Sequence, residues 1–278
     1  MSNSKKYIAK TVKYAILIFT AILVILPILV VLFGALKTQS QYATTNIITP
    51  PTDWFNFQNF KIAFVEGKMW IGLMNTSVLL LVSLTFSTLF GAMVAYVLQR
   101  FKFFGRDLIF NLFIVAILVP SITLQVTIFQ VISNLGLYNT IYSALILYVG
   151  TDVISIYIFM QFLTSIPKAI DESGIIDGAS YFTIFFKLIF PLLKPAIVTV
   201  VIIKGIGIYN DFYVPLLYMP AQRLKTLSTS LYSFIGPYGS SWQIICAGVI
   251  LIIIPSLIVF ICLQKYIYNG FVSGSVKS

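Results

Sequence analysis

The sequence predicts an all-α integral membrane protein with six spanning helices, and three observations carry that prediction. Hydrophobic residues make up 59% of the chain and charged residues 9%, whereas soluble domains carry about a quarter charged residues. Six apolar runs of about 20 residues or more follow one another, each long enough to cross about 30 Å of hydrocarbon as a helix. The 18 Lys and Arg residues sort unevenly among the connections between those runs.

The first run, 14–36, follows Lys5, Lys6, Lys10 and Lys13. A basic start before an apolar stretch is also the layout of a secretory signal. This stretch, at about 23 residues, exceeds a signal's apolar core, and no small-x-small cleavage pattern follows, so it reads as a retained span. The remaining spans are expected at 70–98, 108–132, 141–163, 192–217 and 243–264. Pro27, Pro120 and Pro255 fall inside spans and are expected to be tolerated, because neighbours in a membrane bundle satisfy the carbonyls that proline frees. The whole chain, 1–278, is thus expected to form a single transmembrane domain.

Orientation follows from the cations. With the amino terminus inside, Lys5, Lys6, Lys10, Lys13, Arg100, Lys102, Arg106, Lys168, Lys187, Lys194, Lys265 and Lys277 fall inside, against Lys37, Lys61, Lys68, Arg223 and Lys225 outside. That bias puts both termini in the cytoplasm. The net charge of +10 is therefore topological and does not call for nucleic acid. Trp54, Trp70 and Trp242 all lie in or beside segments assigned outside, as interfacial tryptophans should. Cys246 and Cys262 share one predicted helix, roughly 24 Å apart, and cannot bond to each other.

The inside connection from 164 to 191 is the longest, and it holds Asp171, Glu172 and Asp177, three of the eight acids in the chain. Ser165 is expected to cap a helix with Pro167 at its second position, and Asp177-Gly178 to supply the turn that ends it. A second helix is expected over 179–190, stopping at Pro191. Spacing alone fits an amphipathic pair lying on the inner membrane face.

The string Glu172-Ser173-Gly174-Ile175-Ile176-Asp177-Gly178-Ala179, followed by Ile189-Phe190-Pro191 and Pro195, resembles the EAA loop of binding-protein-dependent ABC importer permeases. There the pattern is EAA, two residues, DGA, then a hydrophobic helix to an LP and a further Pro. Phe162, Ile166 and Pro167 are similar to the family's F-x-x-IP lead-in, and Asn210-Asp211-Phe212 to its WNDF element, with Tyr209 in place of Trp. The end of the chain, Gln264 through Gly270 and Gly274 to Lys277, resembles the tail of maltose-permease G-type subunits. Leu36-Lys37-Thr38, Pro50-Pro51 and Asn59-Phe60 are similar to the same subfamily. Ser173-Gly174 stands where the motif has Ala-Ala, which lowers helix propensity by up to about 1 kcal/mol at the glycine. Ser275 and Ser278 stand for Ala and Gly at the tail.

The resemblance implies a type I ABC importer permease fold and a multi-pass place in the bacterial cytoplasmic membrane. It implies that the loop over 164–191 couples to an ATPase, through Asp171, Glu172, Ser173, Gly174, Asp177, Gly178 and Ala179. The implied partners are a second homologous permease, two cytoplasmic ATPase subunits, an extracellular or periplasmic sugar-binding protein and membrane lipid. The implied cargo is a carbohydrate, an oligosaccharide of the raffinose or maltodextrin type. ATP and Mg would belong to the ATPase chains, since this sequence has no G-x-x-x-x-G-K-[ST] phosphate loop and needs no cofactor of its own.

Two other classes fit less well. A membrane enzyme would lack its usual groups, because the chain has no histidine and no Cys or carboxylate cluster at metal-ligand spacing, so no catalytic or metal residue is assigned. An ion-driven secondary carrier should show inverted repeats and ionisable groups at the midplane. Of the charges in or near spans, Asp152, Lys204 and Asp211 each need a partner or water. Lys204, Asn210 and Asp211 are assigned either to the aqueous pathway or to the interface with the second permease, and Asp152 to headgroups or water. The outside segment 218–242, with Gly236-Pro237 and Gly239, is either a polar turn or a surface for the binding protein.

Overall fold

The computed structural model describes residues 3–150, 152–236 and 239–275, so Pro237 and the last positions of the tail motif lie outside the described residues. In order, the helices are α1 (Asn3–Leu36), α2 (Gln39–Thr44), α3 (Gln58–Glu66), α4 (Met69–Arg100), α5 (Arg106–Leu118), α6 (Gln125–Asn134) and α7 (Ile141–Val149). They continue with α8 (Val153–Thr164), α9 (Ala169–Ile176), α10 (Tyr181–Ile184), α11 (Phe190–Leu192), α12 (Lys194–Asn210), α13 (Tyr213–Tyr218), α14 (Leu227–Ser230) and α15 (Trp242–Ser275). Among the described residues the only strands are β1 (Ile235–Gly236) and β2 (Gly239–Ser240), paired antiparallel. Four stretches are long and apolar enough to span alone: Lys10–Leu36, Met69–Arg100, Ile141–Thr164 and Trp242–Cys262. Counting each of two bent pairs once gives six.

The three prolines behave differently. Pro27 and Pro255 sit inside continuous helices. At Pro120 the expected span 108–132 breaks: α5 ends at Leu118, a 3-10 turn covers Ser121–Leu124, and the two parts are bent by 89°. Proline removes one helical hydrogen bond and presses on the carbonyl four residues back, and here the chain turns instead of absorbing that conflict. The expected span 141–163 is also interrupted, between α7 and α8. Asp152 caps α8, its Oδ1 accepting from the Ile154 N–H at 3.0 Å, so it stands at the break between α7 and α8. The expected span 192–217 resolves into α12, a break at Asp211 and Phe212, and α13.

The chain forms two compact units, one of Met1–Trp70 with Ser230–Ile258, the other of Ile71–Thr229 with Val259–Ser278. In the first unit, the large apolar side chains of α1 from Ile16 to Leu29 are exposed on the chain. Its last turn is finished by Asn59 of α3, whose Nδ2 donates to the carbonyls of Ala35 and Lys37, both at 2.8 Å. Those carbonyls have no partner inside a helix that stops here. Lys37 is 1% exposed, and its Nζ donates to the Asn46 carbonyl at 2.7 Å. The Leu36-Lys37-Thr38 and Asn59 elements of the sequence are thus one structural knot. A Cβ on Gly34 would sit 2.9 Å from Cys246 Sγ, so α1 and α15 approach where only glycine fits.

In the second unit α4 runs past two cores. Toward its carboxyl end, Ala92, Ala95, Tyr96 and Leu98 pack with Ile156, Phe159 and Leu163 of α8, with Phe185 and Ile189, and with Ala196 and Val200 of α12. Toward its amino end, Leu79 packs with Ala144, Tyr148, Ile208 and Met219. The small residues of α4 let neighbouring helices close in, which is how helices associate where lipid supplies no hydrophobic drive.

Candidate functional site

The connection between α8 and α12 folds as a helical hairpin outside the expected spans. Its start differs from expectation. Ser165 does not cap the helix that follows; it closes α8, its Oγ donating to the Phe162 carbonyl at 2.7 Å. The next helix, α9, begins at Ala169, past the constraint of Pro167 on its own neighbours. Its end is as the sequence predicts. Asp177 is the last half-helical residue, Gly178 takes φ +75°, the Gly178 N–H reaches the Ile175 carbonyl at 3.0 Å, and the Ala179 N–H reaches Gly174 at 2.9 Å. That pair of bonds closes the helix through a left-handed residue, a conformation glycine adopts without strain.

Ser180 opens the return arm, its Oγ accepting from the Thr183 N–H at 3.3 Å. The arm continues as α10, a π turn over Phe185–Ile189 and α11, so Pro191 lies inside the last helical turn and does not end the arm. The chain bends by 74° before α12. Gly174, which weakens helix propensity, has a packing reason: a Cβ there would lie 2.8 Å from Ile184 Cγ1, against the return arm. The departure from Ala-Ala therefore lets the two arms touch.

The seven residues singled out from the sequence do not share one face. Asp171 and Gly174 are buried, Ala179 is half-buried, and Glu172, Ser173, Asp177 and Gly178 are exposed. Asp171 faces inward: its Oδ2 is 3.1 Å from Arg100 Nε, and its Oδ1 accepts from the Tyr96 hydroxyl at 2.7 Å. Arg100 also donates through Nη2 to the Ile166 carbonyl at 2.8 Å. Around the exposed acids stand large apolar side chains that motif reading passed over: Ile175, Ile176 at 85% exposure, Tyr181 and Phe182 at 69%. The available signal was an Ile-Ile pair beside Asp177-Gly178 in a segment already assigned outside the membrane.

Asn210, Asp211 and Lys204 are likewise separated. Asn210 is exposed. Asp211 is fully engaged: Oδ1 accepts from the Tyr213 and Val214 N–H groups at 2.8 and 3.1 Å, Oδ2 accepts from the Tyr148 hydroxyl at 2.9 Å, and its carbonyl accepts from Ser228 Oγ at 2.6 Å. Lys204 donates to the Gly150 carbonyl at 3.4 Å, at the break between α7 and α8. Beyond α12, Tyr218 is 1% exposed and donates to Gln125 Oε1 at 3.2 Å. Asn75 Nδ2 holds the carbonyls of Arg223 and Lys225 at 3.0 and 2.9 Å, which fixes the first part of the segment after α13.

Residues 87–271 match the binding-protein-dependent transport system inner membrane component, and the chain belongs to that family. It is a multi-pass protein of the cell membrane and the permease component of an ABC importer. Among its relatives, the arabinooligosaccharides transport system permease protein AraQ of Halalkalibacterium halodurans is 31% identical over 96% of this chain and 95% of its own. The melibiose/raffinose/stachyose import permease protein MelC of Bacillus subtilis is 29% identical over 91% of each chain. A chain from the crystal structure of a bacterial ABC transporter involved in alginate import superposes with a TM-score of 0.83, covering 96% of this chain and 98% of that one, at 20% identity. That last likeness concerns the fold.

Proposed function

We propose that this chain forms one half of the membrane pathway of an ATP-driven importer for an oligosaccharide, and that the hairpin over 164–191 is where an ATPase subunit takes hold. The observation that carries this reading is the exposed apolar tip, Ile176 and Phe182 beside Glu172 and Asp177, held on a hairpin whose opposite face is buried. Large apolar side chains left in water on a polar loop favour a partner surface, and the flanking charges fix register on it. The working assembly contains a second homologous permease, two ATPase chains that bind ATP and Mg, and a binding protein that delivers the sugar. Closure of the ATPase pair moves the hairpins and switches the pathway between its two faces. Carbohydrate cargo is supported by relatives named for arabinooligosaccharides and for melibiose, raffinose and stachyose. Asn210, exposed at the end of α12, and Lys204 of α12, which reaches the Gly150 carbonyl, are proposed to meet cargo or the second permease.

The competing reading is a secondary carrier driven by an ion gradient, and one experiment separates the two. Vesicles containing the whole assembly should take up sugar only with hydrolysable ATP, and a hydrolysis-deficient ATPase chain should stop uptake. Uptake that persists on an ion gradient without ATP hydrolysis would overturn the proposal.

A further inference from the structure

The hairpin is fastened to α4 by a charge pair that lies away from its exposed tip. The Arg100 and Asp171 side chains are 7% and 12% exposed, with Nε and Oδ2 3.1 Å apart. Arg100 holds the start of the hairpin through the Ile166 carbonyl, and Tyr96, one turn earlier on α4, holds the other oxygen of Asp171. The return arm is fastened to the same place by rings. Tyr96 lies 5.4 Å from Phe185, and Phe101, just past the end of α4, meets Tyr181 edge-to-face at 5.0 Å. Both arms therefore take their position from the last turns of α4, and the close approach at Gly174 locks the arms to each other.

We propose that Arg100, Asp171 and Tyr96 are positioning residues that carry displacement of the hairpin into α4. The proposal rests on the hairpin being the ATPase-coupling element. A buried ion pair flanked by two hydrogen bonds, Tyr96 to Asp171 and Arg100 to the Ile166 carbonyl, resists shear, because separating it leaves uncompensated charge in a buried site. A hairpin attached only at its two ends would move without turning α4; one clamped at Arg100 cannot. None of the three residues belongs to the exposed surface around Ile176, so changing them should leave docking in place and weaken transmission.

The test uses the complete assembly with its ATPase chains and binding protein in vesicles, measuring sugar moved per ATP hydrolysed and the ATPase retained after purification. Arg100→Ala and Asp171→Asn should each keep the ATPase but lower sugar moved per ATP by about tenfold, a size expected when a coupling network is cut. The exchange of both residues, Arg100→Asp with Asp171→Arg, should recover much of that loss, which a merely destabilising change would not do. Tyr96→Phe, which leaves the ion pair intact and keeps the ring, should lower the ratio by about threefold; it carries the test if the charge variants do not accumulate in membranes. An unchanged ratio in Tyr96→Phe, or in either charge variant that accumulates, overturns the proposal. So does loss of the ATPase from those variants, which would place the pair in docking. Failure of the underlying reading looks different: a Gly178→Trp variant that retains its ATPase and normal uptake would remove the hairpin from coupling altogether.

Discussion

Two aspartates, Asp171 and Asp211, are each held by a tyrosine hydroxyl, at 2.7 and 2.9 Å, yet they serve different ends. Asp171 is matched with the Arg100 guanidinium and joins a loop to a span far from it in sequence. Among the described residues Asp211 has no such cation; it accepts from two backbone N–H groups at the start of α13. The difference teaches that an acid joining a loop to a distant span is matched here by a buried cation, while one that shapes a turn is satisfied by neutral donors. Around Asp171 the hairpin keeps one face exposed, whereas Asp211 is taken up by the turn before α13, by Tyr148 of α7 and by Ser228.

Breaking the two sites should separate them by size. The largest effect is expected from Asp171→Ala, which strands the Arg100 charge in a buried place and should cost about 3–5 kcal/mol, seen as a lower midpoint of thermal aggregation in detergent. Gly174→Ala should come next, at about 1–3 kcal/mol in the same assay, because its methyl meets Ile184 and the arms must part. Asp211→Ala removes a helix cap and should cost about 1–2 kcal/mol, with no change in ATPase retention. Tyr148→Phe should be smallest, about 0.5–1.5 kcal/mol, since Asp211 keeps both amide donors. Equal costs for the two aspartate variants would erase the distinction drawn between the sites.

Much of the fold was legible before any coordinates, because lipid imposes long apolar runs and a cation bias that a single sequence displays directly. The Asp177-Gly178 turn was legible for a similar reason, since a left-handed residue demands glycine. Helix breaks were less so. Pro120 ends its helix while Pro27 and Pro255 do not, and only the neighbours that satisfy or fail to satisfy each freed carbonyl decide which happens. Gly174 read as a weakness because propensity is a local quantity, while its reason is contact with Ile184 on the other arm. The Arg100–Asp171 pair was out of reach for the same cause: each residue was visible, one as an inside cation and the other as a loop acid, but their meeting depends on how α4 and the hairpin pack. Ile176 and Phe182 were less legible, because a sequence alone does not show which apolar side chains of a polar connection are left uncovered.

The most direct test of the account is retention of the ATPase by a permease carrying Ile176→Asp and Phe182→Asp, purified from membranes in parallel with the parent. Both side chains are largely exposed on the chain, so the variant should reach the membrane in normal amount. Losing two central apolar contacts should reduce the ATPase that copurifies to about a tenth of the parent level or less. Full retention of the ATPase, with the variant correctly inserted, would contradict the assignment of this hairpin as the place where ATP-driven motion enters the membrane.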